Sequence, residues 1–138
     1  MTIREIRENL FSFEKTHYLA HCISSDCAMG AGIAVEFERK YKLRSQLQSK
    51  GHIIWPTTVL IGKIFNLITK ARYWEKPTYE TMRVAVHEMR LLCEKNEVKK
   101  LAMPKIGCGL DRLHWGAVKA IIEEEFKDLD IEIVVCYL

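Results

Sequence analysis

An α/β sandwich with a mostly parallel sheet and one hairpin is the fold class the sequence predicts, and three observations predict it. Apolar runs of strand length alternate with stretches whose apolar residues recur at helical spacing, and the closing run 131–138 is nearly all apolar, as a strand covered on both faces should be. Two glycine-rich segments each follow a strand run and lead toward a helical stretch. Together they give helices packed on a central sheet.

Taken in order, residues 2–6 and 18–23 read as strands, and 33–48 as mostly helical, with Phe37 and Tyr41 four apart and Gly51 ending the segment. The β-rich runs 56–61 and 64–69 flank Gly62-Lys63, the pattern of a hairpin. Thr78 after Pro77 suits the N-cap of a helix whose Met82, Ala85, Val86, Met89 and Cys93 fall on one face. A strand at 101–104 follows. A last helix places Val118, Ile121, Ile122 and Phe126 on one side before the closing strand.

The 138 residues suit one domain, 1–138, with no visible linker or repeat, large enough to bury roughly two thirds of its unfolded surface. Hydrophobic content of 49% and charged content of 28% are those of an ordinary globular protein, and no apolar run approaches the roughly 20 residues of a membrane span. The start 1–5 lacks a signal-peptide core, and five cysteines scattered through apolar segments fit reduced thiols, so cytoplasmic residence is expected. A net charge of +3 does not by itself argue for nucleic acid, but it is compatible with an anionic small ligand. A monomer is the default expectation.

The segment Lys105-Ile106-Gly107-Cys108-Gly109-Leu110-Asp111 follows the run 101–104 and leads toward the last helix. Glycine permits positive φ and close backbone approach, and a helix start adds N–H groups and a positive dipole end, so a phosphate is the natural guest of such a loop. The alternative is a turn that merely needs glycine. A second loop, Cys27-Ala28-Met29-Gly30-Ala31-Gly32-Ile33-Ala34, runs straight into a helix. Val35 occupies the third glycine position of the dinucleotide fingerprint, and no Gly-Lys-Ser/Thr is present, so neither familiar nucleotide motif applies. If the sheet is parallel, both loops lie at carboxyl ends of strands, where a pyrophosphate would fit between them.

Candidate reactive groups are few. Lys70 closes the run 64–69 and precedes the polar, aromatic segment Ala71-Arg72-Tyr73-Trp74-Glu75. It is either a lysine leaving the core for solvent or a partly desolvated amine able to attack an aldehyde-like carbon. Asp111, at the end of the 105–111 loop, is either a helix N-cap or plain loop carboxylate, or the acid such an amine needs. Cys108 is a rival nucleophile, with a small buried loop filler as the favoured reading. His21 with Cys22 and Cys27 lacks a second Cys/His pair at zinc spacing, so a core histidine is expected and neither metal nor cofactor is implied.

Several blocks, in order and spanning essentially the whole chain, carry a resemblance. They are the stretch 19–34 with Ser24-x-Asp26-Cys27-x-Met29-Gly30-Ala31-Gly32, then Leu67-Ile68-Thr69-Lys70, Lys76-Pro77-Thr78-Tyr79-Glu80, and 103–113. They resemble the macrodomain branch that includes the terminal ADP-ribose protein glycohydrolase. The resemblance implies a three-layer α/β/α macrodomain with a central mixed, mostly parallel sheet, which binds ADP-ribose and removes mono-ADP-ribose from modified protein or DNA. It implies that Lys70 attacks the anomeric carbon of the distal ribose and that Asp111 transfers protons and resolves the adduct. Ligand-lining positions by the same resemblance are Asn9, Leu10, Cys22, Ser24, Met29, Gly30, Ala31, Gly32, Ile33, Thr69, Lys105, Ile106, Gly107, Cys108, Gly109, Leu110 and Leu138. Family members usually carry Gly-Asp-Leu-Phe near the start, where this chain has Glu8-Asn9-Leu10-Phe11. Asn9 can still accept from an adenine amino group, without the charge assistance a carboxylate gives.

Overall fold

A computed structural model describes residues 1–138. The strands are β1 (Thr2–Arg7), β2 (Tyr18–Ser24), β3 (Thr57–Ile61), β4 (Ile64–Lys70), β5 (Lys100–Met103) and β6 (Glu132–Tyr137). The helices are α1 (Ile33–Tyr41), α2 (Leu43–Gln48), α3 (Tyr79–Lys95) and α4 (Trp115–Phe126), with a short 3-10 turn at Leu10–Phe13. One sheet holds all six strands in the order β1-β6-β5-β2-β4-β3. Every pairing is parallel except that of β3 with β4, the expected hairpin at Gly62-Lys63.

The two faces of the sheet bury different residues because side chains alternate along each strand. Ala20, Phe65, Leu67, Leu101, Met103, Ile133 and Val135 pack with the apolar stripes of α3 and α4. Leu19, Ile23, Ile64, Ile68, Ala102 and Val134 pack on the opposite face with Phe37, Leu43, Leu47 and Leu10. Helices on both faces make the three-layer α/β/α arrangement. Each fully buried large side chain contributes roughly 1.5–3 kcal/mol, so the central strands, apolar on both sides, dominate the stability.

Several boundaries differ from expectation for local reasons. The helical stretch 33–48 is two helices, because Lys42 adopts a left-handed conformation (φ 53°) and its N–H closes α1 on Glu38 O at 2.9 Å. The Glu38 carboxylate then accepts from Arg44 N at 3.1 Å, capping the start of α2, and the bend turns Leu43 and Leu47 fully into the core. β5 stops at Met103, before Pro104, which has no N–H for a ladder bond. Thr78 does cap α3, in a reciprocal pair with Thr81: each backbone N–H reaches the other's hydroxyl at 3.0 Å. No helix is long and apolar enough to cross a membrane.

Candidate active site

Parallel pairing sends the carboxyl ends of β1, β6, β5, β2 and β4 to one edge, and the loops that follow them gather there. β2 and β5 are direct neighbours, so the two glycine-rich loops lie side by side as expected for a parallel sheet. Contact follows: a Cβ built on Gly32 would stand 3.4 Å from the Leu110 side chain.

Lys70 is the last residue of β4, and its register with β2 slips by one between Ile23 and Ser24. Such an irregularity re-aims the side chains beyond it. The Lys70 ammonium donates to Asp111 Oδ1 at 2.6 Å and to the Tyr73 carbonyl at 3.1 Å. Both partners of the ion pair are mostly covered, with 13% and 14% of their side chains exposed. Lys70 is therefore no solvated lysine. Nor is Asp111 a helix N-cap: α4 starts only at Trp115, with His114 in the capping position. The second glycine loop is accordingly separated from its helix by Arg112, Leu113 and His114, and any helix-terminus contribution to an anion comes from α1 alone.

The first loop prepares that helix terminus. Cys27, Met29 and Gly32 all have positive φ, and Gly32 occupies the N-cap position of α1 without a side-chain cap. No protein acceptor is paired with the N–H groups of Gly30, Ala31, Gly32, Ile33 and Ala34. A run of bare amides at a helix start suits a phosphate. Asp26 anchors the loop: its carboxylate accepts from the Ser24 hydroxyl, from Ala28 N at 3.1 Å and from Tyr73 N at 3.0 Å. Burial would raise the Asp26 pKa, but these bonds and the nearby Arg72 outweigh it and hold the carboxyl below its usual range.

In the second loop Gly107 has φ +75°, and a Cβ there would meet Met82 Cε at 2.6 Å, so only glycine fits without displacement. Its carbonyl accepts from Leu113 N at 2.8 Å. Cys108 is not an activated thiolate. Burial pushes its pKa up, and its Sγ–H donates to Ile106 O at 3.3 Å, which matches the filler reading. Cys22 on β2 sits near Lys70, Asp111, Cys108 and Gly107, and burial drives its thiol pKa far up, with the Asp111 and Cys108 charges adding to the effect.

The other expected ligand positions divide by burial. Leu10, Ser24, Met29, Thr69 and Ile106 are buried at this edge, whereas Gly109, Leu110 and Leu138 are exposed. Asn9 Oδ1 caps the 3-10 turn by accepting from Phe11 N at 2.9 Å, which leaves one of its lone pairs for a ligand. Lys105 turns away from Asp111, its ammonium 4.9 Å from the centre of the Tyr137 ring and 3.8 Å from a Glu5 oxygen. His21 is a core histidine, stacked on Phe37 and bonded to Asn66 at 2.6 Å. Sequence reasoning missed Asp26 as a site residue, although the spacing to Ala28 is that of an Asx turn. It also missed the Tyr73 backbone, which no side-chain pattern could reveal. A cleft of about 310 Å³ bordered by His17, Tyr41, Gln46 and Lys63 lies at the opposite edge, by the β3–β4 turn, and holds none of these residues.

Macrodomains are among the solved structures that share this architecture. The chain superposes on the macrodomain of Mycobacterium tuberculosis DarG with a TM-score of 0.89 at 19% identity, covering 99% of this chain and 98% of the other. The macrodomain of Thermus aquaticus DarG gives 0.84 at 22%, covering 99% of each. Thermosipho africanus DarTG, solved in complex with ADP-ribose, gives 0.81 at 16% over 98% of this chain and 41% of that one. Sequence relatives narrow the class. The human and bovine ADP-ribose glycohydrolases OARD1 are each 46% identical over 138 residues, 96% of this chain and 90% of theirs. The chain belongs to the macrodomain family of these ADP-ribose glycohydrolases. A DNA ADP-ribosyl glycohydrolase of Thermus aquaticus is 25% identical over 93% of this chain and 39% of its own length. No protein-family model matches the chain.

Proposed function

We infer that this protein is a hydrolase that binds ADP-ribose and removes mono-ADP-ribose from modified macromolecules, with Lys70 as nucleophile and Asp111 as proton carrier. The observation that carries this reading is the covered Lys70–Asp111 pair, 2.6 Å apart, at the sheet edge where two glycine loops meet. A binding protein needs the loops but has no use for a buried ammonium beside a carboxylate, which costs desolvation. The loop 28–34 and the second loop hold the diphosphate through backbone amides, Asn9 receives the adenine amino group, and the distal ribose faces Lys70.

The reaction balances with these groups alone. Asp111 takes a proton from the Lys70 ammonium, and the freed amine attacks C1″ of the distal ribose. A C–N bond forms as the bond from C1″ to the acceptor breaks, and the acceptor leaves with the bonding pair. Asp111 passes that proton to the departing acceptor, then takes the second proton from the adduct nitrogen and delivers it to the ring oxygen, so the C1″–O bond breaks as the nitrogen lone pair forms the iminium. Water, deprotonated by Asp111, adds to that carbon, and cleavage of the C–N bond returns the amine and releases ADP-ribose.

A glutamate side chain of a protein is the first choice of acceptor, its carboxylate being the better leaving group. A base of single-stranded DNA is the second reading. It is favoured by the exposed Tyr73 and Trp74, with the Arg72 guanidinium 5.5 Å over the Trp74 ring, directly after Lys70. Exposed aromatic rings beside a cation are what unpaired bases stack on. The similarity to the Thermus aquaticus DNA ADP-ribosyl glycohydrolase supports the same choice.

A single set of assays tests the reading. Glutamate-modified peptide and ADP-ribosylated single-stranded DNA are incubated with the protein and with Lys70→Ala. Loss of ADP-ribose release in the variant, with ADP-ribose affinity within a few fold, supports the mechanism, and unchanged turnover rejects it. DNA as acceptor predicts activity that falls steeply with salt as phosphate contacts are lost.

A further inference from the structure

The geometry points to Asp26 as a positioning residue that holds the first glycine loop and the Lys70 amine in one register. This rests on Lys70 as nucleophile and adds a residue to that reading. One Asp26 oxygen takes the Ser24 hydroxyl and the Ala28 N–H, and the other takes the Tyr73 N–H at 3.0 Å. Tyr73 turns its carbonyl to Lys70 Nζ, 3.1 Å away. A carboxylate on the ligand loop therefore fixes, through one residue, the acceptor that fixes the nucleophile. The two segments are also laced by backbone bonds, from Ser25 N to Lys70 O at 2.9 Å and from Asp26 N to Ala71 O at 3.2 Å.

Proton transfer is what gives this connection its importance. During the reaction Asp111 receives and returns protons, so its bond to Lys70 changes character at each step. The Tyr73 carbonyl can accept from either an ammonium or an amine N–H, more strongly from the former, and stays the same acceptor through the reaction. Its position depends on the loop 71–75, whose N–H at Tyr73 is held only by Asp26. With the Asp26 carboxyl held below its usual range, all three bonds are charge-assisted at neutral pH. Binding of a diphosphate at amides 30–34 would then be transmitted, through the Ala28–Asp26–Tyr73 chain, to the orientation of the amine.

The test is Asp26→Asn, which keeps the size but replaces one of the two accepting oxygens with a donor NH2. Three quantities are read: the rate at which a Lys70 adduct is trapped by borohydride in a single turnover of a mono-ADP-ribosylated peptide, kcat, and the Kd for free ADP-ribose. A positioning role predicts that trapping and kcat fall by at least about tenfold, the scale of a misplaced reacting group, while Kd stays within about threefold. Unchanged trapping and kcat overturn the proposal, as does an equal loss in Kd and kcat, which would make Asp26 only a prop for the glycine loop. If Asp26→Asn does not fold, Tyr73→Pro deletes the single N–H that Asp26 holds in the neighbouring loop and must show the same kcat-specific loss. Release of ADP-ribose by the wild-type protein without any Lys70 adduct rejects the nucleophile reading instead, and the ratio of kcat to Kd effects then decides the role of Asp26 by itself.

Discussion

Lys70 and Asp111, 41 residues apart in sequence, meet at 2.6 Å because β4 and β5 flank β2 and end at the same edge of the sheet. The pair is a proton-exchange couple in the proposed reaction, so its two members fail differently. Asp111→Ala slows attack, because the Lys70 ammonium must lose its proton to solvent instead, and slows resolution more, because no base is left to activate water. Borohydride added during turnover is therefore expected to leave more protein heavier by one ADP-ribosyl unit at Lys70 in Asp111→Ala than in the wild type. Intact-mass measurement with peptide mapping checks this, and absence of adduct in both proteins, with ADP-ribose still released, would favour direct attack by water.

Gly107 is the most constrained position of the second loop. Its φ of +75° costs an L-residue roughly 1–2 kcal/mol. An alanine methyl would also press on Met82 Cε and approach Leu113 Cδ1 at 3.1 Å. Gly107→Ala is expected to lower unfolding free energy by about that amount or more and to weaken ADP-ribose binding, since the loop amides shift with it. Urea unfolding and calorimetry measure the two effects, and a stability equal to wild type would contradict the packing argument. Gly109, with open space around its Cβ direction and no positive φ, is expected to tolerate the same change in stability.

The contrast between these glycines shows where sequence reading ends. The alternation of β4, α3, β5, α4 and β6 was legible because burial imposes a period of two or about 3.6 on the apolar residues. The break at Lys42 was not, because a left-handed lysine carries no compositional mark and Leu43 and Leu47 are themselves four apart, so each side reads as helix. Lys70 was legible as a strand-end lysine, and its meeting with Asp111 came from the family resemblance and then from strand order. α4 begins later than an N-cap at Asp111 would place it for a related reason: glycines suggest a helix start, whereas Arg112 with φ 61° adds a further turn before Trp115. The Tyr73 carbonyl was beyond reach altogether. Backbone groups carry no sequence signature, and only the docking of loop 71–75 on Asp26 brings this one to Lys70.

Asn9 offers a gain rather than a loss. Its side-chain oxygen already caps the 3-10 turn, a task that an aspartate performs equally well. Asn9→Asp would add charge assistance to a bond from the adenine amino group. The difference between a neutral and a charge-assisted bond is about 1 kcal/mol, or roughly fivefold in affinity. Calorimetric titration with ADP-ribose is expected to show that increase with kcat little changed, because the adenine end is remote from the scissile bond. Equal or weaker binding would remove Asn9 from the adenine contact.

His21 gives the fold a pH dependence whose sign can be worked out. The Asn66 amide nitrogen donates to Val59 O at 3.1 Å and Ile64 O at 3.2 Å, so its oxygen must be the acceptor of the His21 Nε2–H at 2.6 Å. Nδ1 is then left bare, buried and without a partner. Complete burial pushes the His21 pKa down to about 4 from its ordinary 6.5, with the bond to Asn66 opposing the shift. Between those values the unfolded chain binds the proton and the folded one does not. The contribution of neutral His21 is therefore full above pH 6.5 and is lost as the pH falls toward 4, by about 3 kcal/mol at most. His21→Phe removes this titration while keeping a ring against Phe37, at the cost of orphaning the Asn66 oxygen equally at every pH. Urea unfolding of both proteins at several pH values from 4.5 to 7.5 is expected to show the wild type losing stability faster on acidification. Parallel pH curves for the two proteins would mean that the ring takes up its proton without unfolding, and that Nδ1 finds an acceptor when it does.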